Sequence, residues 1–230
     1  MSITYHNDLI QGSDEWHAAR CGLITGSEVK YLISPKTLKP LNNDKTRAHI
    51  WELAAQRITN YVEPTYIGDD MLRGHEDEIA ARDLYSKHFQ PVTECGFVTN
   101  DRWGFTLGCS PDGLVGDAGM IECKSRRQKF QIQTIVEHHR MGTIPEDFVM
   151  QVQTNLLVTE RSWIDFISFS GGLPMRPITV EADREIQEAI EAATTEAERQ
   201  IASAMADFQE AIARKGFVPT ERRVEHEMYI

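Results

Sequence analysis

The feature that most constrains this chain is a change of hydrophobic period near residue 90. Before it, apolar residues recur at helical spacing, from about Lys45 to Tyr61 (Ile50, Leu53, Ala54, Ile58) and from about Met71 to Phe89 (Leu72, Ile79, Leu84 inward). Residues 92–98, 103–109 and 119–124 are then short, β-branched or aromatic, and separated by turn residues, which predicts an antiparallel meander. Helical spacing returns from about Pro145 to Thr159, and Trp163–Phe169 and Arg176–Val180 read as strands. From Asp183 to Lys215, Ile186, Ile190, Ala193, Ala197, Ile201, Met205, Phe208 and Ile212 line one face of a long helix. Helices on both sides of a strand block predict an α/β (α+β mixed) fold, with a central mixed sheet flanked by helices.

Upstream of these elements, Ser13-Asp14-Glu15-Trp16 reads as an N-cap with acids in the first helical turn, and Gly22 as the helix end. Thr25-Gly26-Ser27-Glu28 reads as the start of a second helix with Val29, Leu32 and Ile33 inward, followed by a loop at 34–44. A chain of 230 residues is the size of one domain, 1–230. No apolar run approaches the ~18–20 residues of a membrane span, and residues 1–11 lack a signal-peptide pattern, so a cytoplasmic location is expected.

The four cysteines, Cys21, Cys95, Cys109 and Cys123, have no zinc-like spacing and read as small buried hydrophobes rather than as iron–sulfur ligands. The net charge of −11 argues against a nucleic-acid partner only until its distribution is considered. Residues 181–213 hold nine acids against two arginines, whereas Lys124, Arg126, Arg127 and Lys129 form a basic run elsewhere.

That run follows the one pattern that carries chemistry: Ser110-Pro111-Asp112-Gly113-Leu114, then Ile121-Glu122-Cys123-Lys124. On a strand, Glu122 and Lys124 share a face and Cys123 points the other way. With Asp112 in a neighbouring turn, two carboxylates and an ammonium would meet, as a hard-cation site for phosphodiester hydrolysis requires. A turn followed by an edge strand with a surface Glu-x-Lys pair explains the same residues without chemistry. Glu78, Gln151, Gln153, Arg20 and Ser27 are further polar candidates, each with a plain structural role available: an exposed acid, solvent-facing amides, a helix-end arginine and an N-cap.

Taken together, several motifs in order resemble a known family. They are Trp16-His17-x-x-Arg20-x-Gly22-x-Ile24-Thr25-x-Ser27-Glu28; Gly74 with Glu78 and Arg82; Cys109-Ser110-Pro111-Asp112-Gly113-Leu114; Glu122-Cys123-Lys124; and Gln151-Val152-Gln153. Over about residues 12–218 the chain is similar to the phage lambda-type (alkaline) exonucleases of the PD-(D/E)xK superfamily. The resemblance implies a restriction-endonuclease-like core. It also implies a processive 5′→3′ exonuclease on linear double-stranded DNA, a ring-shaped homotrimer and a phage single-strand annealing partner in a bacterial host.

The resemblance further implies roles at matching positions. Asp112, Glu122 and the Cys123 backbone carbonyl would hold one Mg²⁺, and Asp112 would bridge to a second, completed by Glu78 directly or through water; Mn²⁺ would substitute. Lys124 would orient the attacking water, with Gln151 positioning the water or Lys124. Arg20 and Ser27, helped by Ser110, would hold the terminal 5′-phosphate. Met71 falls where the family has a strand-splitting wedge, although a buried helical Met is the plainer reading. The alternatives are an endonuclease with the same metal site and no need of the Arg20–Ser27 pocket, or a non-catalytic DNA-binding module, against which the intact Asp112, Glu122 and Lys124 argue.

Overall fold

A computed structural model describes residues 2–64 and 68–222. The elements run β1 (Ile3–His6), α1 (Asp14–Arg20), β2 (Ile24–Thr25), α2 (Asp44–Thr59), α3 (Asp69–His88), β3 (Phe97–Asn100), β4 (Leu107–Cys109), β5 (Gly113–Val115), β6 (Gly119–Ser125), α4 (Gln128–Gln133), α5 (His139–Met141), α6 (Glu146–Thr159), β7 (Trp163–Phe169), β8 (Ile178–Glu181) and α7 (Arg184–Ile212). A 3₁₀ turn at Val29–Tyr31 follows β2, and a π turn at Thr134–His138 joins α4 to α5.

The mixed α/β class holds, but the strands form two mixed sheets rather than one. Their orders are β1-β3-β4-β2 and β5-β6-β7-β8. The expected meander is therefore broken: β3 and β4 pair antiparallel, the chain changes sheet at Ser110-Pro111-Asp112, and β5 and β6 pair antiparallel in the second sheet. β6 then pairs in parallel with β7 over its whole length, Gly119 opposite Trp163 through Ser125 opposite Phe169. A prolyl residue cannot donate a ladder hydrogen bond, so Pro111 suits the point where pairing must stop.

Helices cover both faces of the second sheet. Met120, Ile164 and Phe166 face the main core shared with α2, α6 and α7, while Ile121, Cys123, Ile167 and Phe169 pack with Ala81 and Tyr85 of α3. Burial on both faces explains why β7 reads as a mostly apolar run, broken by Asp165 and Ser168. It also makes Glu122, on the main-core face, an exception that needs a cause.

Three local expectations are corrected. Thr25-Gly26-Ser27-Glu28 does not open an α-helix; Thr25 ends a strand and only the 3₁₀ turn follows, although Val29, Leu32 and Ile33 are buried as expected. Ser27 is therefore not an α-helical N-cap. In α3, Leu72, Ile79 and Leu84 are exposed, and the inward positions are Ala81 and Tyr85. Tyr85 anchors the helix by donating to Asp165 Oδ2 of β7 at 2.6 Å. Met71, in the first turn of α3, is 54% exposed, so the buried-methionine reading fails.

Candidate active site

The change of sheet at residues 110–112 builds the site. Gln11 Nε2 donates to the carbonyls of Cys95 and Pro111, each at 3.0 Å. Trp16 Nε1 donates to Gly96 O and to Ser110 Oγ, each at 3.0 Å. With the junction gripped, Asp112 is buried beside β6, where its Oδ2 accepts the Cys123 backbone N–H at 2.5 Å.

On β6, Glu122 is 1% exposed and Lys124 Nζ lies 2.5 Å from its Oε1. Gln151 Nε2 donates to the same Oε1 at 2.6 Å, and Asn155 Nδ2 to Oε2 at 2.9 Å. The two amides stand four residues apart on α6 and so share a face. A buried carboxylate needs such partners, because leaving it unpaired costs several kcal/mol, on the order of 3–5. Gly26 makes room for this arrangement: a Cβ there would stand 2.3 Å from Asn155 Oδ1.

Glu78 of α3 completes the acid group electrostatically. Burial, and next the charge of Glu122, push its carboxyl above the usual range. Burial, then Glu122 and Glu78, push Asp112 well above it as well. Lys124 is pushed up: burial opposes its charge, but Glu122 and Asp112 outweigh it. Arg82 holds Glu78 in place, with Nη1 4.0 Å from Glu78 Oε1 and 3.4 Å from the Asp112 carbonyl.

Next to the acids lies a cationic cradle. The Arg20 guanidinium sits 4.2 Å over the Trp16 ring and donates to Ser110 Oγ at 3.3 Å and to Thr25 Oγ1 at 3.1 Å. Ser27 Oγ lies 3.4 Å from Thr25 Oγ1, which in turn donates to Glu28 Oε2 at 2.7 Å. Burial lowers the pKa of Arg20, with Glu28 opposing, and among the described residues no carboxylate forms an ion pair with it. A largely buried guanidinium facing hydroxyls rather than a carboxylate is poised to take an anion. Gln11, Trp16, Arg20, Ser27, Ser110, Asp112, Glu122, Lys124, Gln151 and Asn155 all line one cavity of about 170 Å³.

A model of the YqaJ-like viral recombinase domain matches residues 15–162, which contain all of these groups except Gln11. The chain belongs to this family. The chain is similar to the crystal structure of an alkaline exonuclease from Laribacter hongkongensis, at 31% identity and a TM-score of 0.70 over 86% of this chain and 100% of that one. The same exonuclease in complex with dAMP matches equally, at 31% identity and a TM-score of 0.70. A phage-related exonuclease from Haemophilus somnus shares the fold at 13% identity, with a TM-score of 0.56 over 81% of this chain and 96% of that one. No curated protein matches the chain.

Most of the residues singled out in the sequence of this YqaJ-like domain come together: Arg20, Ser27, Ser110, Asp112, Glu122, Lys124 and Gln151 in the cavity, and Glu78 through its charge. Gln153 does not; its amide bridges Glu181 O and Asp183 N at 2.9 Å each and fixes the turn from β8 into α7. The Cys123 side chain faces the α3 core, and what the structure brings to Asp112 is its N–H. Met71 lies seven residues before Glu78 on one helix, about 10 Å along the axis. Asn155 and Trp16 were not singled out from the sequence as site residues. The signal for Asn155 was available: an amide one helical turn after Gln151 in an otherwise apolar stretch.

Hard oxygen donors under mutual repulsion suit a divalent cation. Among the described residues no three His, Cys, Asp or Glu side chains converge into a metal-binding group. Mg²⁺ does not need one, since it is usually held by one or two carboxylates and retained waters. Asp112 and Glu122 meet that requirement, and at present the Lys124 ammonium supplies the positive charge at Glu122.

Proposed function

We propose that this chain is a Mg²⁺-dependent 5′→3′ exonuclease. It would digest one strand of linear double-stranded DNA from 5′-phosphorylated ends to mononucleotides, leaving a 3′ strand for a phage single-strand annealing protein. The observation that carries the reading is the shared cavity: the Arg20–Ser27–Ser110 cradle opens onto Asp112, Glu122 and Lys124. An anion site beside a hydrolytic site ties cutting to a chain end. The family and the likeness to an alkaline exonuclease support a nuclease, and the dAMP complex of that relative supports a product of mononucleotide size. The homotrimer ring and the annealing partner rest on the family resemblance alone.

Arg20 would grip two oxygens of the terminal phosphate with its planar fork, while Ser27 and Ser110 supply hydroxyl donors. Trp16 holds Arg20 and Ser110 at once and so keeps the cradle in register. Asp112, Glu122 and the Cys123 carbonyl would hold one Mg²⁺, and Asp112 with Glu78 a second. When bound, the ions lower the pKa of the attacking water and stabilise charge on the leaving 3′ oxygen. Lys124, beside Glu122, would orient that water and place its ammonium near the transition state. Gln151 and Asn155 keep the Glu122 carboxylate from rotating. Met71, exposed at the start of α3, would wedge open the terminal base pair.

A linear duplex compared with a covalently closed circle tests this reading. Nucleotide release from the linear form alone, slowed by a blocked 5′ end, is the expected outcome. Cutting of the circle would establish the endonuclease alternative instead.

A further inference from the structure

A second and larger concavity, about 660 Å³, is lined by Arg73, Asp77, Arg126, Arg127, Gln128, Lys129, Ser170 and Gly171. Four cationic side chains face one carboxylate there, in a chain whose net charge is −11. That carboxylate is engaged, since Ser125 Oγ donates to Asp77 Oδ2 and receives Arg73 Nε at 3.3 Å. Arg126 is held by stacking, its guanidinium carbon 4.9 Å from the Phe130 ring centre and 5.1 Å from that of Phe148, and it feels the charge of Asp147, which does not line the concavity. Its Nε is buried without a hydrogen-bond partner. Lys129 Nζ lies 4.7 Å from the same Phe130 ring. Two cations held on one aromatic ring form a preorganised anion surface.

The concavity adjoins the cutting site. Lys124 and Arg126 are two apart where β6 ends, and both reach the Phe148 ring, Lys124 Nζ at 5.9 Å. Asp77 and Glu78 are neighbours on α3. The cradle residues from α1, the turn after β2 and the β4–β5 junction line the small cavity and not this one. A strand whose 5′ end sits in the cradle and whose scissile bond lies at Lys124 therefore continues past Arg126.

The geometry points to a phosphodiester subsite: Arg126 and Lys129 receive the phosphates of the cleaved strand on the 3′ side of the scissile bond. This rests on the exonuclease reading and extends it, giving the enzyme a grip on DNA that it has not yet cut.

The test is a two-by-two comparison of affinities in Ca²⁺, read by fluorescence anisotropy. The 230-residue chain and Arg126→Gln/Lys129→Ala, which removes both charges, are titrated with two 5′-phosphorylated duplexes. One is native, and the other carries neutral methylphosphonates at the three linkages 3′ of the scissile bond. The variant is expected to bind native DNA about tenfold more weakly, with a salt slope shallower by about two. On the methylphosphonate duplex it should bind as the parent does. Equal loss on both duplexes, or no loss on native DNA, overturns the subsite. Lys129→Ala alone, a change at an exposed residue, should lose part of the same affinity, and if it loses none Lys129 has no part in the subsite. Parent protein that binds the native duplex in Ca²⁺ and digests it in Mg²⁺, while the variant matches its affinity, refutes the subsite alone, whereas parent protein that does neither refutes the exonuclease reading.

Discussion

Lys124 and Glu122 stand two residues apart on one strand, with Nζ 2.5 Å from Oε1, and the carboxylate they share with two amides is 1% exposed. The ammonium thus occupies the place where a cation charge is needed. Lys124→Met should abolish digestion and leave Glu122 without its counter-charge, lowering metal-free stability by about 3 kcal/mol. Mg²⁺ should recover more stability in the variant than in the parent. Chemical denaturation with and without Mg²⁺ measures both effects.

Asp112 gives a pH dependence of defined sign. Its carboxyl is held well above the usual range by burial first, then by Glu122 and Glu78. The folded state therefore binds the proton more tightly than the unfolded state, whose pKa is about 4. Metal-free stability should fall as pH rises from about 4 through the folded-state value. Asp112→Asn should flatten that fall and stabilise the metal-free protein at neutral pH by about 1–2 kcal/mol, while eliminating activity. Urea unfolding across pH, without metal, checks the slope.

Asn155 and Gln153 lie on the same helix and should behave differently. Asn155→Ala frees one oxygen of Glu122 and should cost about 10–100-fold in activity, with a higher Mg²⁺ requirement. Gln153→Ala breaks the β8–α7 bridge and should lower the melting temperature without shifting the Mg²⁺ dependence. Mg²⁺ titrations of initial rate separate the two.

Arg20→Ala should reduce the preference for 5′-phosphate over 5′-hydroxyl ends by at least about tenfold, since a charge-assisted bidentate contact is lost. The ratio of initial rates on the two ends is the readout, and an unchanged ratio removes Arg20 from the phosphate cradle.

Much of this site was legible because its chemistry is carried by local spacing. Glu122 and Lys124 alternate with Cys123 on β6, and strand parity alone places them on opposite faces. Trp163–Phe169 was read with its observed bounds because a strand buried on both faces is mostly apolar, here interrupted by Asp165 and Ser168 alone. The change of sheet at Pro111 was not legible, since β4 is fixed by pairing with the distant β2, whereas β5 pairs with the following β6 in the other sheet. Nor was the inward face of α3, because small Ala81 and hydrogen-bonded Tyr85 fill it while larger aliphatic residues stay outside. The helical segment from Gln128 to Met141 was not read from the sequence, apart from Lys129 as the end of the basic run. Its Phe130, Ile132, Val136 and Met141 are exposed and give no amphipathic signal toward the core.

The most direct measurement follows release from a linear duplex labelled at the 5′-phosphorylated end of one strand and the 3′ end of the same strand, with Mg²⁺ present. The account expects the 5′ label to leave first as a mononucleotide, the 3′ label to follow only after the strand is consumed, and Asp112→Asn to release neither. Early release of the 3′ label, or release by Asp112→Asn at the parent rate, would contradict it.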